Sequence, residues 1–267
     1  MMQSSLFVVQ ITDSHLLGDS QGRLLGVNTD HSLRGVIDDI KRREPQVDVV
    51  LATGDIAQDG SAQAYERFLN HVSGLSARVH GLPGNHDDGE ILRSVWQARL
   101  DPVVDLGNWR IVLLDSSVPG SNGGHLAQSQ FDVLLAAATQ ASDRHVLVAV
   151  HHNPVPMGCS WLDSMTIDNG DALFMMLERL TNVRCLLWGH VHQKYDKLHR
   201  YSPAHGVRLL ASPSTCVQFM PHSEVFELDT APPAYRWLRL HANGDIDTGV
   251  QGVQGLGISP DVGGTGY

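Results

Sequence analysis

Six stretches of the chain are apolar for most of their length: residues 6–12 (LFVVQIT), 47–53 (VDVVLAT), 77–82, 109–115 (WRIVLLD), 145–150 (HVLVAV) and 183–188 (VRCLLW). Short runs of this kind predict strands covered on both faces. Between them, apolar residues fall at helical spacing: Leu33, Val36, Ile37 and Ile40 within residues 29–44, closed by Pro45; Tyr65, Phe68, Leu69 and Val72; Ile91, Leu92, Val95 and Trp96. Two further helical faces follow, with Phe131, Leu134, Leu135 and Ala138, then Leu173, Met176, Leu177 and Leu180. The Met-containing stripe reads as core. Strand and helix alternating in this way predict an α/β domain.

Beyond residue 188 the pattern changes. Short strands near residues 207–211, 224–229 and 235–240, joined by Pro-rich turns, predict a sheet-rich part packed onto the first layer. Residues 249–267 hold seven glycines and one charged residue, with no periodicity. The expected organisation is one domain over residues 1–245 and a mobile or surface-lying Gly-rich tail over 246–267.

Composition narrows the function. At 267 residues, with 42% hydrophobic and 18% charged, the chain can bury a sizeable core as a soluble globular protein. A net charge of −10 argues against a protein that grips nucleic acid through its phosphates. An anionic substrate would need local positive charge, which metal ions can supply. Three cysteines, Cys159, Cys185 and Cys216, suggest a reducing compartment and no disulfide framework. Residues 1–5 lack a basic start, and the apolar run after them is too short for a signal peptide or a membrane span. The expected location is the cytosol, with no membrane partner.

The fifteen histidines matter through their placement. Asp13 and His15, Asp55, Asn85 and His86, His151, and His190 and His192 each follow the last residue of a predicted strand, where an α/β sheet opens onto its ligand crevice. The segment Leu82-Pro83-Gly84-Asn85-His86-Asp87 alone reads as turn chemistry. Asp13 or Asp55 could equally cap the following helix, and His151 or its neighbour His152 could be core. Five strand ends carrying such residues to one edge point to metal binding, with too many ligands for one tetrahedral ion and enough for two sharing a carboxylate.

The ordered motifs D-x-H, G-D, G-N-H-D, H and G-H-x-H resemble the calcineurin-like metallophosphoesterases. Residues 24–29 (LLGVNT), 158–163 (GCSWLD) and 212–219 (SPSTCVQF) are similar to the cyclic AMP phosphodiesterase branch of that superfamily. The resemblance implies a four-layer α/β/β/α sandwich of two packed mixed sheets flanked by helices. It also implies two divalent metal ions, iron with manganese or zinc as alternatives. Asp13, His15, Asp55 and His192 would hold one, and Asp55, Asn85, His151 and His190 the other. His152 is the alternative to His151. His86 would act on the substrate, by protonating the 3′-oxygen or stabilising phosphoryl charge, after attack by a hydroxide bridging the metals. His15, Asp55, Asn85, His86 and His192 would border the substrate.

Where relatives place an Asp or a Tyr three residues beyond the bridging Asp, this chain has Gln58. Asp59 could orient His86 or simply form a turn. Asp87, Asp115, His125 and Asp163 could support the ligands or cap local backbone; Trp161 and Phe219 could border the pocket or pack; Cys185 reads as inert core. The implied reaction is hydrolysis of 3′,5′-cyclic AMP to 5′-AMP, the partner being a small cyclic nucleotide. The alternatives are a broader phosphodiesterase, for 2′,3′-cyclic nucleotides or glycerophosphodiesters, and a non-catalytic scaffold.

Overall fold

The computed structural model describes residues 5–44, 46–75, 78–141, 143–264 and 266. In chain order the first half contains β1 (Leu6–Ile11), β2 (Arg23–Leu24), β3 (Val27–Asn28), α1 (Thr29–Arg43), β4 (Val49–Thr53), α2 (Ala62–Val72), β5 (Val79–Leu82), α3 (Gly89–Trp96), β6 (Val103–Leu106) and β7 (Trp109–Leu113). It continues with α4 (Gln128–Gln140), β8 (His145–Ala149), a single turn α5 (Ser160–Asp163), α6 (Gly170–Arg179) and β9 (Val183–Trp188). The remainder is β10 (Tyr195–Ser202), β11 (His205–Ala211), β12 (Gln218–Phe219), β13 (Leu228–Asp229), β14 (Ala234–Leu240) and β15 (Ile246–Gly252).

Two mixed sheets form the centre, ordered β15-β14-β1-β4-β5 and β10-β11-β9-β8-β7-β6. Side-chain alternation along the strands sorts the apolar residues into three layers. Val8, Val49, Leu51, Leu147, Ala149, Leu187, Leu210 and Leu238 meet between the sheets. Their neighbours Val9, Ile11, Val50 and Ala52 face outward onto Leu33, Ile37, Tyr65, Phe68 and Leu92 of α1, α2 and α3. On the other side Val112, Val146, Val148 and Leu186 face Phe131, Leu134, Leu173 and Leu177 of α4 and α6. The result is the expected α/β/β/α sandwich, in which each buried Val or Leu contributes about 1.5–3 kcal/mol of transfer free energy.

Local signals set the helix ends. Asn28 Oδ1 accepts from His31 N at 2.7 Å to start α1, and Lys41, Arg42 and Arg43 complement its carboxyl end. Pro45, the expected stop, lies outside the described residues, as do residues 76–77 at the expected start of β5.

Several strands depart from expectation. β6 forms a hairpin with β7, and β10 is an edge strand paired to β11 whose side chains are mostly exposed. Instead of an irregular tail, residues 246–252 form β15, paired along its length with β14. Beyond it Leu256 packs against α1, where a side chain at Gly35 would collide with it. The strand expected over residues 224–229 is reduced to β13, paired with β12. Among the described residues no helix is long and apolar enough to cross a membrane, and the three cysteines are buried and form no disulfide.

Candidate metal centre

Parallel strands β1, β4, β5, β8 and β9 end at one edge, and each candidate residue sits two to four positions past a strand end. Asp13, His15, Asp55, His151, His190 and His192 are buried, while Asn85 and His86 are half-buried. Five of them, Asp13 (φ 53°), His15 (φ 45°), Asp55 (φ 49°), His190 (φ 62°) and His192 (φ 48°), adopt left-handed backbone. That conformation costs an L-residue about 1 kcal/mol or more and concentrates at functional sites. Cross-loop hydrogen bonds hold it: Asp13 N donates to Gly54 O at 3.1 Å and His15 N to Asp55 O at 2.9 Å. His190 N donates to both oxygens of Asp13, at 3.0 and 3.1 Å.

The glycines of these motifs are required by close approach. A side chain at Gly84 would fall inside van der Waals contact of Asp55 Oδ1, and one at Gly189 would meet Thr12 Oγ1 and Asp13 Oδ2.

Hydrogen bonding fixes what the imidazoles offer. His151 Nδ1 lies 2.8 Å from Thr53 O, His192 Nδ1 2.7 Å from Val217 O, and His15 Nδ1 2.7 Å from Gln58 Oε1. A carbonyl oxygen only accepts, so each Nδ1 carries the hydrogen and each neutral ring presents a lone pair at Nε2. Those Nε2 atoms converge on other acceptors. His15 Nε2 is 3.2 Å from His192 Nε2, which is 3.4 Å from Asp13 Oδ1. His151 Nε2 is 3.2 Å from Asn85 Oδ1 and 3.2 Å from Asp55 Oδ2. Asp55 Oδ2 also lies 3.9 Å from His15 Nε2, between the two groups.

Acceptors gathered in this way repel one another unless a cation or a proton lies among them, so the donor set fits divalent ions of the nitrogen-and-oxygen-binding kind. Four overlapping groups have ligand atoms within 4.8 Å of one another: Asp13, His15 and His192; Asp13, Asp55 and His151; His15, Asp55 and His86; and His151, His152 and His190. Both ring nitrogens of His190 are buried without a hydrogen-bond partner, as is His152 Nε2. Such orphans are costly unless something binds them.

The electrostatics follow from burial and crowding. Burial opposes the charge on Asp55, but the facing His151, then His86 and His15, hold its carboxyl well below the usual range. Burial likewise opposes the charge of Asp13, which His192 and then His151 outweigh. Burial lowers His15 to about 3 against the pull of Asp55. It lowers His152 to about 3, helped by His151, and holds His190 well below the ordinary value, helped by His152 and His151. For His151 burial is outweighed by Asp55, which raises it to about 9. Metal binding would take the place of that proton.

A profile of the calcineurin-like phosphoesterases matches residues 8–194, a span containing every one of these side chains. The chain belongs to that family. Among its relatives, the 3′,5′-cyclic adenosine monophosphate phosphodiesterase CpdA of Pseudomonas aeruginosa is 45% identical over 266 residues, covering 99% of this chain and 96% of that protein. CpdA of Escherichia coli K12 is 41% identical over 97% of this chain and 94% of its own. The fold is shared with a dimetal phosphatase from Danio rerio (TM-score 0.60, 17% identity, 94% of this chain and 100% of that one). It is shared too with a purple acid phosphatase from yellow lupin (TM-score 0.68, 11% identity, 97% and 53%).

Within this calcineurin-like site several supports escaped sequence reasoning. The carbonyls of Thr53 and Val217 have no side-chain signature, and Gln58, noted only as a departure, receives His15 Nδ1. Phe219 stacks flat on the His192 ring (centroids 4.0 Å, 9°), and Trp161 meets Phe219 edge-on. Asp87 accepts from Gly84 N, Ile56 N and Ala57 N, tying the loop after β5 to the loop after β4. Burial and then the charge of Asp55 hold its carboxyl up at about 7. The remaining candidates bind local groups: Asp59 takes Gly18 N and Ser61 N, and Asp115 takes Ser117 N. Asp163 takes Met157 N and Gly158 N, and His125 pairs with Asp168.

Proposed function

We propose that this chain hydrolyses 3′,5′-cyclic AMP to 5′-AMP at a centre of two divalent metal ions. The observation that carries the reading is the convergence of histidine nitrogens and carboxylate oxygens on both sides of Asp55. The near full-length likeness to CpdA proteins supports the substrate. Asp13, His15 and His192 would hold one ion, Asn85, His151 and His190 the other, with Asp55 between them. His151 is favoured over His152 because its Nε2 makes the 3.2 Å approaches to Asp55 and Asn85. Iron fits this donor set, as do manganese and zinc. Buried unpaired thiols suit a reducing cytosol.

Bound divalent ions would lower the pKa of water towards about 7 and offset the charge of the phosphodiester. The chain's own residues supply the rest. His15, Asp55, Asn85, His86 and His192 border the space in which the phosphate would lie. Water adds at phosphorus as the bond to the 3′-oxygen breaks, and that oxygen needs a proton. His86 stands at the half-exposed side of the cluster, its ring edge-on to His15 at 5.2 Å and its backbone N–H on Asp55 Oδ1 at 3.0 Å. That position supports a role in giving the proton or in stabilising the phosphoryl charge.

The test is a substrate panel of cyclic AMP, cyclic GMP, 2′,3′-cyclic AMP and bis(p-nitrophenyl) phosphate, each with Fe(II), Mn(II) and Zn(II). Cyclic AMP is expected to give the highest kcat/KM. His86→Ala is expected to lower kcat by roughly 10²–10⁴-fold. Cleavage of the aryl diester with no turnover of cyclic AMP would overturn the substrate, and unchanged kcat in His86→Ala would overturn the role of His86.

A further inference from the structure

A cavity of about 500 Å³ opens beside the candidate metal centre, sharing His192 as a wall. Its volume lies in the range of small-ligand sites. About half of the lining is apolar, including Phe219, Pro213 and Ala234, with Tyr195 on the strand that leads away from the site, and Lys194, Lys197, His222 and Asp229 form a charged and polar part. Into this lining is set Gln193, the residue directly after His192.

Gln193 is 7% exposed, and its Nε2 is buried without a hydrogen-bond partner. The other glutamine in the wall, Gln218, is fully employed: its Oε1 accepts from Ser214 N and its Nε2 donates to Ser214 O and Pro232 O. A buried orphan amide costs free energy in the ligand-free chain, and a turn of the Gln193 side chain towards a ligand in the cavity that supplies the complementary group removes that cost.

On the reading of the site as a cyclic nucleotide phosphodiesterase, we infer that Gln193 recognises the edge of the nucleobase and favours adenine. An amide offers one donor face and one acceptor face side by side. The Hoogsteen edge of adenine offers the reciprocal pair, an N6 amino donor beside the N7 acceptor, whereas guanine presents two acceptors there. The apolar part of the wall suits a purine, and the shared wall at His192 puts the base next to the phosphate site. Gln193 is thus a specificity-determining residue for the same reaction, one position along the chain from a metal-ligand candidate.

The experiment compares kcat/KM for cyclic AMP and for the 3′,5′-cyclic phosphate of purine riboside, which lacks the 6-amino group. Wild-type protein, Gln193→Leu and Gln193→Asn are assayed with saturating Mn(II), and bis(p-nitrophenyl) phosphate is included as a third substrate. The wild type is expected to favour cyclic AMP by about tenfold or more. Gln193→Leu is expected to bring the ratio close to one, and Gln193→Asn to restore part of it. Because the readout is a ratio within one protein, a variant that folds or loads metal less well still reports. Equal use of both cyclic substrates by the wild type, or an unaltered ratio in Gln193→Leu, overturns this inference alone. Cleavage of the aryl diester without either cyclic nucleotide overturns the parent reading together with it.

Discussion

The interior of each central strand and the few residues just past its end are equally buried and energetically opposite. Val8, Leu51, Leu147 and Leu187 are apolar residues inside hydrogen-bonded ladders. Asp13, Asp55, His151 and His190 are just as deep, yet they are polar, and three of the four have left-handed backbone. Burial of the first set stabilises the fold. Burial of the second set costs free energy that a proton on His151 offsets in part and that a bound cation would recover. Stability and chemistry are therefore separated by two residues of chain, which lets one be changed with little effect on the other.

The largest expected effect tests that separation from the chemical side. Asp55→Asn removes the shared carboxylate and should lower kcat/KM for cyclic AMP on the order of 10³-fold. In metal-free protein its Tm should shift by no more than a few degrees, because the desolvation of a buried carboxylate and its attraction to His151 are lost together. A larger fall in metal-free Tm would break the comparison.

Leu187→Ala probes the other side. It should cost about 2–5 kcal/mol in a denaturant melt and keep the cyclic AMP kcat/KM of the folded fraction within about threefold. A much larger loss of activity would mean that the sheet interior and the site are coupled.

A smaller effect is expected for Gln58→Leu, which removes the acceptor on His15 Nδ1. Metal affinity, measured by competition with a chelator, should weaken about 10–100-fold, and affinity equal to wild type would show that His15 is oriented by its packing alone.

The smallest effect is the pH dependence of the metal-free chain. His15 and His152 sit near 3 and His190 well below its ordinary value, so between about pH 3 and 6.5 the unfolded chain takes up the protons and stability falls with falling pH. His151, raised to about 9, has the opposite sign: its contribution is complete below about pH 6.5 and is lost as pH rises through 9. Asp87, held up at about 7, shares the sign of His151 and adds stability as pH falls from 7 towards 4. Three groups outweigh two, so Tm should decline by a few degrees from pH 7 to pH 5. A rise over that interval would refute the assignment.

The sequence disclosed the strand interiors and the residues at their ends for one physical reason: both are types that water or burial forces to declare themselves. Continuous apolar runs mark β1, β4, β8 and β9, and Asp, Asn and His at the ends of such runs have few structural uses. β10 and β15 stayed hidden because edge strands carry exposed or half-buried side chains and borrow their regularity from a neighbour, as Asp196 does across from Leu210 and Val250 across from Arg236. The carbonyls of Thr53 and Val217 are backbone atoms common to every residue. Gln193 was overlooked because an orphan amide can be recognised only once its surroundings are known.

β14 lies against β1, with Leu6 opposite Leu240, and Ser214 Oγ donates to the carbonyl of Asp13 at 2.7 Å. On the ribosome, at roughly 5–20 residues per second, the first strand waits about 10–45 s for that neighbour. Asp13 and His15 emerge long before His192, so early ligands spend that interval without their late partners. On the proposed ligand set, complete metal loading would await the emergence of His192, and a nascent fragment that ends before β9 would hold at most part of the centre.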